Sequence, residues 1–105
     1  MPDYLCLTLI ANPGETEATF KGRLTAFWTH LLRTAPDTYA AVYAEAKQFD
    51  TTDGCISRAY MVQADAAATV AAALANHGIR VAPLDPDDTY SLYEASGSEW
   101  FQIPH

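Results

Sequence analysis

Histidine, arginine and tyrosine are the residue types through which this chain could hold an anion or pass a proton, and they fall into two groups. In the first, Arg23 and His30 stand seven residues apart on one flank of a predicted helix, with Arg33 close by. That edge could hold a carboxylate or another anion, although charged residues beside an apolar stripe are also the ordinary outcome for an amphipathic helix. His77 falls in the last turn of another predicted helix, where the negative end of the helix dipole favours an imidazolium by about 0.3 to 1 kcal/mol. If the two helices run antiparallel, their C-terminal ends lie at opposite edges of the sheet they cover. His30 and His77 are therefore not expected to form a catalytic or metal-binding pair. His105 is terminal and is expected to be mobile.

The second group is Tyr4, Arg58 and Tyr60. Were two neighbouring strands to present them on one face, Arg58 would fix an anion and Tyr60 would donate a proton, with Tyr4 lining the same pocket. The competing reading is an interface with one satisfied arginine, because Tyr and Arg are also enriched in protein contacts.

Several other chemistries have no support. Asp85-Pro86-Asp87-Asp88 groups three carboxylates, but as an EF-hand it would need Gly where Tyr90 stands and Glu where Ser96 stands, so a solvated turn is expected. No Gly-x-Gly-x-x-Gly, Walker loop, His-Glu-x-x-His or Gly-x-Ser-x-Gly occurs. Cys6 and Cys55 belong to no Cys-x-x-Cys pair, and Cys6 has no charged sequence neighbour to lower its pKa, so both read as reduced, inert thiols. No metal and no cofactor is expected. With 13 acidic against 6 basic residues in 105, the net charge of −7 gives nucleic acid or an anionic membrane no electrostatic attraction and makes a basic protein the easier partner.

The elements that must position these residues can be read in order. Tyr4 to Ile10 alternates Tyr4, Cys6, Thr8 and Ile10 against Leu5, Leu7 and Leu9, which predicts a central strand. Asn12 or Thr16 can cap a helix whose apolar residues Phe20, Leu24, Phe27 and Leu31 keep the helical repeat, with Trp28 and Leu32 widening the stripe and Ala35-Pro36 ending it. Residues 37–50 fit helical and strand spacing alike; a helical turn or two followed by a short strand over 46–51 is the reading adopted. Asp53-Gly54 signals a hairpin into a partner strand from Cys55 to Val62. Asp65 as cap, an alanine run and Gly78 as the left-handed stop predict a helix over Ala66 to His77, and Ile79 to Ala82 returns as a strand. The segment from Ala64 to Ala75 is too short to cross a bilayer of about 30 Å, and the start Met1-Pro2-Asp3 lacks the basic, apolar sequence of an export signal, so a cytoplasmic protein is expected.

Strand, helix, short strand, strand, helix, strand is the split β-α-β order of an α+β, ferredoxin-like sandwich: an antiparallel sheet with two main helices on one face. A single domain over 1–105 is expected, with a core of 1–82 and an extension of 83–105. If the leucines of the first strand face the helices, the other face receives Tyr4, Cys6, Thr8 and Ile10. Keeping Arg58 away from the helix layer adds Ile56, Tyr60 and Val62 to it. So apolar a face needs a cover, either a second copy or the extension, whose Tyr90, Tyr93, Trp100 and Phe101 are accompanied by five acids and no Lys or Arg. Trp100 and Phe101 are both expected to be substantially buried. The fold hosts many activities. The expected function is that of a small protein-binding or regulatory factor, possible forms being an inhibitor or immunity-type protein, with a homodimer and a basic protein as partners. The alternative is a small enzyme or ligand-binding protein with its pocket at Tyr4, Arg58 and Tyr60.

Overall fold

Strand β1 (Tyr4–Ile10) carries apolar side chains on both faces, so both must be covered. In the computed structural model, which describes residues 3–104, β1 lies inside a six-stranded antiparallel sheet. One edge pairs along its length with β3 (Ser57–Gln63), placing Leu5 opposite Val62, Leu7 opposite Tyr60 and Leu9 opposite Arg58. The other edge is shared: β4 (Arg80–Val81) takes the Leu9–Ile10 end and β5 (Thr89–Tyr90) the Tyr4–Leu5 end. Beyond β3 come β2 (Val42–Ala46) and then β6 (Trp100–Gln102), giving the order β4-β1-β3-β2-β6. His105 lies outside the described residues.

Four helices accompany the sheet. Of the two possible caps for α1 (Glu17–Thr34), Thr16 is the one used, its hydroxyl accepting the Thr19 N–H at 3.1 Å. Phe20, Leu24, Phe27, Trp28 and Leu31 are buried, but Leu32 is 51% exposed and does not widen the buried stripe. A single turn, α2 (Pro36–Tyr39), follows, and β2 begins at Val42 rather than near Ala46. Val42 and Ala44 alternate into full burial there, and tertiary packing decides between two spacings that the sequence allows equally. The Asp-Gly turn has positive φ at both Asp53 (58°) and Gly54 (74°), the conformation that favours this dipeptide. The helix α3 (Ala67–Asn76) is entered through a 3-10 turn at Ala64–Ala66, and no side chain caps it, so Asp65 is not the cap expected of it. Gly78, at φ 75°, does stop it, and the Ile79 N–H returns to the Leu74 carbonyl at 3.0 Å.

Leu5, Leu7 and Leu9 meet Phe20, Leu24, Phe27, Val70 and Leu74 on the helix-covered face, as their alternation requires. The sequence-based assignment of β3 is corrected. Cross-strand partners point the same way, so a register pairing Arg58, Tyr60 and Val62 with Leu9, Leu7 and Leu5 places all three on the helix side. Tyr4, Ala44 and Met61 are buried on the opposite face beneath Ala95 of α4 (Leu92–Ala95), with Cys6, Tyr43, Tyr90 and Trp100 packed around them. A capping box holds α4: Ser91 Oγ accepts the Glu94 N–H at 3.2 Å and the Glu94 carboxylate accepts the Ser91 N–H at 3.0 Å. The chain's own C-terminal segment thus covers this part of the face.

Trp100 is partly buried, but Phe101 is 51% exposed, contrary to the burial expected of both, because alternation in β6 turns it to the helix side. Cys6 lies opposite Met61, while Cys55 is exposed beyond the Ile10 end of the same pair, about 20 Å away at strand spacing, and both thiols are free. No helix among the described residues is long and apolar enough to cross a membrane. Replacing Trp100 by Ala removes a ring packed against the cluster of Tyr4, Ala44, Met61 and Ala95. Stability is expected to fall by about 2 kcal/mol and the melting midpoint by about 10 °C in a thermal melt. An unchanged midpoint would mean that the C-terminal segment does not hold to the sheet.

Candidate functional site

Two helices side by side, each about 10 Å wide, cover about four strands spaced about 4.8 Å apart. β6 is the fifth strand in the path and extends past α1, so the helix-side residues of β6 have no helix above them. Phe101, paired with Glu45, is one of these. Across from it on α1 stands Leu32, exposed to the same 51%. Between them lies a cleft of about 350 Å³ lined by Trp28, Leu32, Tyr39, Glu45, Phe101 and Ile103, among others.

Glu45, in the lining of the cleft, belongs to a polar cluster built across two strands. Glu45 on β2 lies opposite Tyr60 on β3. Its Oε2 accepts the Tyr60 hydroxyl at 2.6 Å, and its Oε1 lies 3.2 Å from Arg58 Nη2. Arg58, only 6% exposed, also donates from Nε to the Ala46 carbonyl at 2.8 Å and lies over the Phe49 ring, 4.6 Å from its centroid. Trp28 lies against Tyr60 with ring centroids 4.9 Å apart and planes tilted by 50°, and its indole N–H is buried.

Burial raises the Tyr60 hydroxyl well above the usual phenol range, and its hydrogen bond to Glu45 and the charge of that carboxylate raise it further; Trp28 and Arg58 act the other way without reversing it. The phenol is held protonated, which makes it a poor proton donor and no base. Arg58 directs Nε and Nη2 into the backbone and Glu45 and is only 6% exposed, so it offers little to an anion. Tyr39 is raised as well, by burial and then by the charge of Glu45.

Tyr4 is on the opposite face, its ring 5.1 Å from that of Tyr43, so the sheet separates it from Arg58 and Tyr60 and the three do not form one pocket. Burial, followed by the charge of Tyr43, raises its hydroxyl. Tyr90 pairs with Tyr4 across the β1–β5 ladder, and Tyr93 is 88% exposed. Glu45 and Phe49 went unread in the sequence, and Trp28 was read only as part of the apolar stripe. The signal available was Arg58 itself: an arginine inside an otherwise apolar strand requires an acid on an adjacent strand.

His30 and His77 do meet, with ring centroids 4.8 Å apart, which corrects the expectation that helix direction carries them to opposite edges. α1 has 18 residues and α3 has 10, so the end of α3 falls against Phe27 and His30 within α1 rather than past it. Asp85 accepts the Asp87 N–H at 3.0 Å in the expected turn. Among the described residues no group of three or more His, Cys, Asp or Glu is placed to hold a metal ion. Scans against family models, curated proteins and solved structures each return no match to this chain.

Glu45→Ala leaves the buried Arg58 without its carboxylate, and a loss of about 2 kcal/mol is expected in urea unfolding; Tyr60→Phe removes one hydrogen bond and about 1 kcal/mol. Equal losses would contradict the ion pair as the centre of the cluster. The raised phenol sets an alkaline limit as well. Its contribution is whole below about pH 10, where an unfolded tyrosine also stays protonated, and is lost as pH rises further, because the unfolded chain then releases a proton that the folded chain keeps. Above about pH 10 the native sequence should lose up to about 1.4 kcal/mol per pH unit more than Tyr60→Phe does. Parallel slopes would mean that Tyr60 ionises as freely when folded.

Proposed function

We propose that this is a small, non-catalytic binding protein that engages a protein partner through the cleft between α1 and β6 and acts as a regulatory or inhibitory factor. The observation that carries the reading is the pair Leu32 and Phe101, both 51% exposed and lining one cleft floored by Trp28. Exposed apolar residues grouped in this way, beside an aromatic anchor, are the ordinary makings of a contact surface. A net charge of −7 favours a partner with basic residues around an apolar anchor. The strand order β4-β1-β3-β2, with α1 and α3 on one face, supports a ferredoxin-like core extended by β6 and by an aromatic, acidic C-terminal segment. Two free, distant thiols fit a cytoplasmic setting.

The homodimer was argued from a bare sheet face. With α4 and Trp100 packed on that face, a second copy is the weaker candidate and a distinct basic protein the stronger. The enzymatic alternative has less support, because Tyr4 stands apart, Arg58 and Tyr60 are buried, and Arg58 Nε and Nη2 and the Tyr60 hydroxyl already have partners. A photo-crosslinking residue at position 101, introduced in the native cell, tests the reading. One predominant adduct with a basic protein is expected, lost in the surface variant Leu32→Glu and weakened by salt. An adduct with a second copy would restore the homodimer, whereas adducts indifferent to Leu32→Glu would remove the cleft as the contact.

A further inference from the structure

We propose that the concavity between α1 and the end of α3 is a binding site for a small oxyanion joined to an apolar group, of which an aromatic carboxylate is the simplest form. This site is separate from the cleft at β6 and does not depend on it. It measures about 350 Å³, with Arg23 and His30 supplied by α1, His77 by the end of α3, and an apolar wall of Phe27 and Ile79. Gathering three nitrogen-bearing side chains is notable in a chain with only 6 Lys and Arg and a charge of −7.

The donors are positioned rather than merely near one another. Glu15 takes two of the Arg23 nitrogens, Nε and Nη2, each at 2.7 Å, which fixes the guanidinium and leaves Nη1 without a partner among the described residues. His77 Nδ1 lies 3.0 Å from the Ala73 carbonyl. A carbonyl only accepts, so Nδ1 carries the proton and Nε2 is the nitrogen left for an incoming group. The Phe27 ring meets His77 edge-on at 5.2 Å, which sets an aromatic surface directly beside that nitrogen's ring.

Charge selects the ligand's sign. His30 and His77, at 4.8 Å between centroids, repel when both are imidazolium, and an anion placed against them removes that repulsion. Nε2 of His77 meets an anion as a donor when the ring is an imidazolium. The charged and titratable groups lining or bracing the site are Glu15 before α1, Arg23 and His30 on α1, and His77 after α3; the β4 side contributes Ile79, which has no charge. A metal ion would find two imidazoles beside a guanidinium and no third ligand of the usual kinds among the described residues.

The test titrates the full chain with benzoate and, separately, with inorganic phosphate, following the ring protons of His30 and His77 and the Ile79 methyls by NMR. Benzoate is expected to move both sets of signals, and phosphate to bind more weakly and move the histidines alone. His30→Gln with His77→Gln, both at the surface of the site, should weaken benzoate binding about tenfold, and so should Arg23→Gln. Equal affinities for phosphate and benzoate would overturn the apolar half of the assignment. No shift with either anion up to about 10 mM, or ring shifts produced by Zn²⁺ and by neither anion, would overturn the site.

Discussion

A strand with apolar residues on both faces is the constraint from which the architecture follows. Leu5, Leu7 and Leu9 on one side of β1 need a helix layer, and Tyr4 and Cys6 on the other need something else. The helices satisfy the first requirement with Phe20, Leu24, Val70 and Leu74. The second is met by the C-terminal segment, which adds a short strand at the Tyr4 end of β1, crosses beneath the sheet as α4 and rejoins it at the far edge as β6. One uninterrupted path thereby covers the second face and lengthens the sheet.

Lengthening the sheet has a consequence on the side that was already covered. Two helices do not reach over a fifth strand, so β6 turns Phe101 into an open step beside α1. Glu45 stands at the inner corner of that step, where its carboxylate receives Tyr60 and neutralises Arg58. A buried arginine so close to the core is tolerated only because the same carboxylate, the Ala46 carbonyl and the Phe49 ring all attend to it. The cluster is thus a structural device on the inside, and its Glu45 borders the cleft on the outside. Its phenol, held protonated, adds rigidity rather than acid–base chemistry.

At the other margin of the helix layer a difference in helix length, rather than a difference in strand count, creates the opening. The short α3 ends against the interior of the long α1, and the imidazole at that end faces one from the middle of its neighbour. The two concavities differ in character: one is apolar with a neutralised carboxylate, the other is lined by nitrogen donors. Each exists because two layers built from different numbers of residues do not end together.

Periodicity and turn chemistry are local, and what they govern was legible in the sequence: β1 from its alternation, α1 from its apolar repeat and its Thr16 cap, the left-handed stop at Gly78, the Asp53-Gly54 turn. The α+β class followed from these, and so did the order of the main elements as far as β4, whereas β5, α4 and β6 went unread. The faces did not follow, because alternation says which residues share a side and register alone says which side that is. Arg58, Tyr60 and Val62 were rightly grouped and wrongly oriented: the rule that keeps arginine out of a core fails when a carboxylate on a different strand, Glu45, waits to receive it. His30 and His77 were separated by an argument from helix direction, which ignores how far each helix runs. In both cases the deciding quantity was a distance between elements far apart in sequence, and only the packed chain sets such a distance.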